Sequence, residues 1–307
     1  MRVLQLTTNA DATYVTNQVE ALAALGVESD VLEVPRTAEN GRRAFDYLRF
    51  CPAVRKRCTT DYDLVHANFG LTIPAALAQR QVPVVTSLVG SDLMGRLGPV
   101  TNQLARFCDA VIVVSEEMRS LLSRDATVIP YGIDVDRFRP LNRRDARNVV
   151  GWPTDGHQVL FPYHPDRTVK NYPLAERVVE RTERQLDEPV ALRVTTGLDY
   201  RLMPLYMNAA DALLLTSHRE GSPSTVKEAL ACNTPVVSTP VGDVPERVAA
   251  VEACGVGDSA EELAGNLSDA LEASEAPDGR TAVEDVRLDR MGERILEVYR
   301  RALEGAG

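Results

Sequence analysis

Two glutamates, Glu220 and Glu228, stand with seven residues between them in "REGSPSTVKEALACNTPVV". An apolar strand-like segment precedes the stretch ("DALLLTS") and another closes it ("PVVSTPV"). A helix is expected to begin near Ser222, with Ser222 as its N-cap and Pro223 in the first helical position, where a missing N–H costs nothing. The unpaired amides of the first turn, near Ser224 and Thr225, would make a partly positive socket for phosphate, and Gly221 lets the backbone come close. Val226, Ala229 and Leu230 make one apolar stripe that can pack on a sheet, which turns Glu228 away from it. Glu220 falls in the strand-to-helix loop. A carboxylate accepts two hydrogen bonds and so suits a vicinal diol. Two carboxylates beside a phosphate socket suit a ligand with hydroxyls at both ends and phosphate in the middle, the layout of a nucleotide sugar. Singly, Glu228 also reads as a solvated helix residue and Glu220 as a loop charge; the pair around the socket favours the ligand.

The elements that must hold these residues alternate in type. "RVLQLTT", "ESDVLEV", "DLVHANF", "VPVVTSLV", "DAVIVVS" and "ATVIPYG" read as strands, separated by helical patterns such as "VTNQVEALAALG", "IPAALAQRQ", "TNQLARFC" and "EEMRSLLSR". The alternation restarts with "QVLFPYH", the helix "NYPLAERVVERTERQL", "VALRVTT", the helix "RLMPLYMNAA" and "DALLLTS". Continuous apolar strands between helices indicate parallel sheets covered on both faces. The polar segment near 140–156 reads as a linker between an N-terminal domain, 1–143, and a C-terminal domain, 144–307, whose closing helix covers about 282–304. Doubly wound sheets bind ligands at the carboxyl ends of their strands, so the cleft between two such domains is the expected site.

Composition narrows the class. The 307 residues are 44% hydrophobic and 25% charged, as in globular proteins, and the net charge of −10 argues against nucleic acid as a partner. The only lysines are Lys56, Lys170 and Lys227. Five scattered cysteines fit neither zinc spacing nor a disulfide framework and read as reduced packing residues. No apolar run approaches a membrane span, and the opening "MRVLQLTTNADATYV" lacks the features of a signal peptide, so a cytoplasmic protein is expected. The segment 36–57 is locally basic, with Phe45, Tyr47, Leu48 and Phe50 interleaved among its cations. It reads either as a peripheral contact with an anionic membrane or as a solvated helix.

The opening stretch resembles the Glu-x7-Glu signature of the retaining family-four glycosyltransferases of the GT-B fold (glycosyl transferases group 1). "DLVHANFGLTIPAAL", "PVVTSLVGSDL", "ADAVIVVSEEM", "VIPYGIDVDRFRP", "HPDRTVKN" and "PLYMNAADALLLTS" match that family's segments in order, over most of the chain. The resemblance implies an α/β fold of two Rossmann-like, doubly wound domains facing across a cleft, with the C-terminal helix crossing back to the first. It implies transfer of a sugar from a nucleotide-sugar donor to a saccharide or glycolipid acceptor with retention of configuration, without metal and without cofactor, since the nucleotide sugar is a substrate. Glu220 would hold hydroxyls of the donor sugar and Glu228 the ribose. Lys170 and Arg167 match the positions that hold the donor diphosphate, and fixed cations there stabilise the charge that develops as the glycosyl–phosphate bond breaks. Both also read as part of a charged loop before a helix. Backbone groups of Gly197 and Leu198 in "TTGLDY" would lie near the base. Asn9, in the loop after the first strand, and Gly90, Ser91 and Asp92 fall on the acceptor side.

Other motifs are absent or weak. Asp61–Asp63 imitates an Asp-x-Asp metal motif but precedes its strand, which is turn and cap chemistry. No G-x-G-x-x-G follows the first strand, and the four histidines lack metal spacing. The first domain departs from the family: "TTNADATY" lacks paired glycines, and Val89 stands where many members carry histidine. That leaves open acceptor identity and turnover, and with them two alternatives, a non-catalytic nucleotide-sugar-binding subunit or a GT-B sugar-nucleotide epimerase.

Overall fold

A computed structural model describes residues 1–36, 42, 44–58 and 61–305. Contacts divide the chain into two units, Met1–Gly132 with Leu288–Gly307, and Ile133–Arg287. In the first unit the strands are β1 (Arg2–Thr7), β2 (Glu28–Glu33), β3 (Leu64–Ala67), β4 (Val84–Leu88), β5 (Ala110–Val113) and β6 (Thr127–Val128). Between them run α1 (Thr13–Ala24), α2 (Ala44–Arg57), α3 (Ile73–Leu77), α4 (Gly98–Ala105) and α5 (Glu116–Ser120). The sheet order is β2-β1-β3-β4-β5-β6, with every pairing parallel.

The second unit opens with α6 (Arg143–Val150). It continues through β7 (His157–Phe161), α7 (Tyr172–Leu186), β8 (Val190–Val194), α8 (Met203–Ala209) and β9 (Ala212–Leu215). It ends with α9 (Ser224–Ala231), β10 (Val236–Ser238), α10 (Val244–Val248), β11 (Gly255–Val256) and α11 (Ala260–Glu272). Its parallel sheet runs β11-β10-β9-β7-β8. The last helix, α12 (Leu288–Gly305), belongs to the first unit.

Period-two alternation explains both faces of the first sheet. Leu4, Leu6, Val65, Ala67 and Leu88 point into one core with Phe50 and Val54 of α2, whereas Val3, Leu64 and Val85 point into another with α1 and α12. There α12 meets α1 closely: a Cβ at Gly292 would lie 3.0 Å from the Cβ of Ala21.

Two elements differ from the sequence expectation. Residues 143–150, within the expected linker, form α6, because Arg147 is buried and donates to the Ala209 carbonyl and to Asp211. The closing helix begins at Leu288, not near 282; residues 281–286 form a 3-10 segment and Arg287 is extended. Asp63 accepts from the Arg2 amide at 2.7 Å, and Tyr62 donates to Asp30 at 2.7 Å. Of the basic segment, Glu39 and Arg43 lie outside the described residues.

A buried polar cluster lies on the α1/α12 face, where Gln5, His66 and Ser87 point up from β1, β3 and β4. His66 Nδ1 lies 2.6 Å from the Tyr299 hydroxyl and Nε2 2.8 Å from Ser87 Oγ. Gln18 donates to Asn68 Oδ1 at 2.8 Å, and Asn68 to Gln5 Oε1 at 2.7 Å. Burial without a charged partner pushes the His66 pKa down to about 3. An unfolded histidine takes a proton near pH 6.5 and folded His66 does not, so stability is full above that pH and falls as pH drops towards about 3. At pH 5 the loss is about 2 kcal/mol. Denaturant unfolding at pH 7.5 and 5.0 should show this extra loss in the wild type and not in His66→Gln; equal losses would exclude a neutral, buried His66.

Candidate active site

Parallel pairing places the carboxyl ends of β7, β8, β9 and β10 along one edge of the second sheet. The loops that leave this edge carry the donor-site residues expected from the sequence. After β7, a 3-10 turn (Thr168–Lys170) ends at Asn171, whose φ of 51° turns the chain into α7. Thr216, just beyond β9, donates to the carbonyls of Lys170 (3.0 Å) and Asn171 (3.1 Å), which fixes this turn against the next loop.

Lys170 and Glu220 meet directly. The ammonium lies 2.5 Å from Glu220 Oε1, and Ser217 Oγ donates to the same oxygen at 2.6 Å. Lys170 Nζ also stands 3.6 Å from the centroid of the Tyr163 ring, a cation–π contact strengthened by burial. Burial lowers the Lys170 pKa, and the charge and hydrogen bond of Glu220 oppose it. The Tyr163 hydroxyl in turn pairs with Thr225 Oγ1 at the start of α9. Arg167 is exposed; its side chain has no hydrogen-bond or ion-pair partner among the described residues, and its charge is felt at Lys170 and Tyr163.

The expected N-cap is not formed. Pro223 occupies the cap position of α9 with no side-chain cap bond. Ser222 is drawn elsewhere by charged partners, accepting from Lys227 Nζ at 2.5 Å and donating to Asp243 Oδ2 at 2.8 Å. Charge-assisted bonds outcompete a neutral cap. Burial lowers the Lys227 pKa to about 8 against the pull of Asp243. The loop after β10 closes over the same place: Gly242 has φ +58°, and a Cβ there would lie 2.5 Å from the Gly221 carbonyl oxygen. Gly221 and Ser222 are buried, and Ser224 and Thr225 half-buried.

Glu228 is not a solvated helix residue. It is 3% exposed, and Oε1 accepts from the Tyr200 hydroxyl at 2.7 Å. Burial raises its pKa to about 7, opposed by the Tyr200 hydrogen bond and the nearby Lys227. Gly197 (φ +68°) and Leu198 lie in the loop after β8 that carries Tyr200.

The expected acceptor-side residues lie in the first unit. Asn9 is exposed after β1 and accepts from the Asp11 amide at 3.2 Å. Ser91 is exposed and Gly90 buried. Asp92 is buried and accepts from the amides of Gly70 (2.8 Å), Gly90 (2.9 Å), Val89 (3.0 Å) and Leu93 (3.1 Å). Its carboxylate therefore clamps two backbone loops. Sequence reasoning missed Tyr163, Ser217, Tyr200 and Asp243, which belong to no spacing pattern and join the site through the fold alone.

Two family models match, Glycosyltransferase Family 4 over residues 12–137 and Glycosyl transferases group 1 over 175–280. The chain belongs to the group 1 glycosyltransferases of the GT-B fold. Among similar curated proteins is TuaC of Bacillus subtilis, assigned to teichuronic acid biosynthesis as a glycosyltransferase; it is 28% identical over 59% of this chain and 54% of its own length. D-inositol 3-phosphate glycosyltransferase 2 of Catenulispora acidiphila is 28% identical over 61% and 57%. The chain thus spans a little over half the length of these relatives. Among solved structures, sucrose-phosphate synthase of Thermosynechococcus elongatus superimposes with TM-score 0.78 at 17% identity, covering 100% of both chains. Anabaena HepE in complex with UDP and glucose superimposes with TM-score 0.69 at 16% identity, covering 97% of this chain and 98% of its own.

The buried Glu228 has a consequence for stability. Its folded pKa, about 7, lies above the carboxylate value of 4.5, so its contribution is full below pH 4.5 and is lost as pH rises through about 7. Glu228→Gln, which cannot ionise, should be more stable to denaturant than the wild type at pH 8 by about 3 kcal/mol and show almost no gain at pH 4.5. A pH-independent difference would mean that Glu228 is ionised at no cost.

Proposed function

We propose that this glycosyltransferase moves a sugar from a nucleotide-sugar donor to a saccharide or lipid-linked acceptor, with retention of configuration. The observation that carries this reading is the single sheet edge on which a buried lysine–glutamate pair, a glycine-bearing socket and a second buried glutamate follow one another. Lys170 and Arg167 take the diphosphate; Glu220, released from Lys170 by the incoming phosphate, accepts from hydroxyls of the donor sugar; Glu228 accepts from the ribose. The amides of Gly221, Ser222, Ser224 and Thr225 line the socket, with the backbone of Gly197 and Leu198 beside the base. As the glycosyl–phosphate bond breaks, the bonding pair leaves with the diphosphate, and the two cations balance it without a metal. The acceptor hydroxyl attacks from the same face, and neither glutamate becomes covalently attached. Asn9 and Gly90–Asp92 serve the acceptor, Asp92 by holding its loop.

UDP-hexose is the first donor to test, because HepE was solved with UDP and glucose. A thermal-shift panel of UDP-, GDP-, ADP- and TDP-sugars identifies the base, since bound donor raises the melting temperature. Glu220→Ala and Lys170→Ala should each cut turnover more than tenfold, about 2–4 kcal/mol of transition-state stabilisation. Near-normal rates in both would remove the site assignment. Activity should survive excess chelator. Donor binding without nucleotide release would make the chain a binding subunit, and donor isomerisation without acceptor would make it an epimerase.

A membrane-bound acceptor fits the first unit. No helix among the described residues is long and apolar enough to cross a bilayer. On α2, Asp46, Phe50 and Val54 are buried while Phe45 (58% exposed), Leu48 (67%), Arg49, Arg55, Lys56 and Arg57 face solvent. Apolar side chains among cations suit the interface of an anionic bilayer, which would hold a cytoplasmic enzyme at the inner membrane surface. Co-sedimentation at low salt should be stronger with vesicles containing phosphatidylserine than with phosphatidylcholine alone, and Leu48→Ser with Lys56→Glu should abolish the difference. Equal sedimentation with both vesicles ends the idea.

A further inference from the structure

Glu228 is held by a residue that no signature of the sequence marks. Tyr200 follows β8 in a 3-10 turn (Tyr200–Leu202) whose start is capped by Asp199, which accepts from the Arg201 amide at 2.9 Å. Its ring packs against Phe138 with centroids 5.7 Å apart, and the Arg137 guanidinium lies 5.8 Å from its centroid. Ring and backbone are therefore both fixed, and the hydroxyl is aimed at Glu228 Oε1. Burial and the adjacent carboxylate raise the Tyr200 pKa, so the phenol remains a donor. Glu228 Oε2 has no hydrogen-bond partner among the described residues.

We infer that Tyr200 is the positioning residue for Glu228, its phenol holding one carboxylate oxygen while the other stays available to a vicinal diol of the donor ribose. The inference rests on the reading of Glu228 as the ribose-holding group. A diol contributes two O–H donors and needs an ionised acceptor. A buried carboxylate stays ionised only where fixed donors and cations offset its lost hydration. Lys227 supplies charge from the same helix and Tyr200 the hydrogen bond. The other groups near the carboxylate are Tyr163 from the β7 loop and Cys232 at the end of α9, both neutral; Arg137 and Asp134 stand beside Tyr200, and Arg280 beside Cys232. Nucleotide affinity thus depends on pH, weak where Glu228 is protonated and rising as pH passes through about 7, and Tyr200 sets where on the pH scale that rise falls.

The test uses the full chain, wild type and Tyr200→Phe, which keeps the ring against Phe138. Without ligand, 13C-carboxyl NMR follows the titration of Glu228; in Tyr200→Phe its proton affinity should rise about tenfold, the effect of losing a hydrogen bond to a charged group. Binding of UDP, GDP and ADP, which share the ribose diol, is then measured at pH 7 and pH 9. The best-bound of the three should lose about fivefold in affinity at pH 7, with most of the deficit gone at pH 9, where Glu228 is ionised in both proteins. The same Glu228 titration in both proteins, or a deficit equal at both pH values, overturns the inference and leaves Tyr200 a packing residue. Glu228→Gln separates the two claims: if it binds all three nucleotides as the wild type does, the ribose reading fails, whereas the carboxyl titration still decides the role of Tyr200.

Discussion

Parallel strands must be joined by crossovers, so every connection returns to the same edge of the sheet before the next strand begins. In the second unit this constraint brings together residues from four separate stretches of chain. Tyr163 and Lys170 leave β7, Gly197 and Tyr200 leave β8, Ser217 and Glu220 leave β9, and Gly242 and Asp243 leave β10. None of these loops contains a site by itself. The strands beneath them are almost wholly apolar, and their burial stabilises a frame that carries an unusual load of buried charge: Lys170, Lys227 and Glu228.

That charge is organised in two layers. Nearest the proposed donor, Lys170 is shared between Glu220 and the Tyr163 ring, and Glu228 is held by Tyr200. Behind them, Lys227 reaches from α9 to Ser222 and Asp243, and Arg247 of α10 approaches Asp243 at 3.8 Å and Asp285 at 2.5 Å. Buried ion pairs contribute little net stability against apolar replacements, but they fix geometry, and breaking one partner is costly. The arrangement suits a site that must keep charges in place before any ligand arrives.

Much of this was legible in the sequence. Continuous apolar runs such as "DALLLTS" and "PVVTS" announce strands buried on both faces, and their alternation with helical periods leads to the doubly wound class. Glu220, Glu228 and the glycine-bearing run between them could be named because their spacing is local, and Lys170 because "HPDRTVKN" resembles a segment of the family. What escaped is non-local. Tyr200 and Tyr163 are ordinary aromatic residues until the fold carries them to a carboxylate and a lysine. The Ser222 cap looked sound by local rules, yet Lys227 and Asp243, the latter 21 residues away, captured its hydroxyl. In "RRDARNVV" the burial of Arg147 depends on Asp211, 64 residues further on, so its polar face reads as linker.

The placement of α12 bears on how the polypeptide is made. The second unit is one uninterrupted segment, Ile133–Arg287, and holds all its own strands, whereas the first is completed only by Leu288–Gly307. During synthesis one face of the first sheet therefore has α1 but not α12 against it, its Gln5 and His66 lacking the Tyr299 hydroxyl, until residues 288–305 have emerged. The later-synthesised unit can reach its native packing first. The packing of the first unit is thus closed by α12, which is made only after the whole of the second unit.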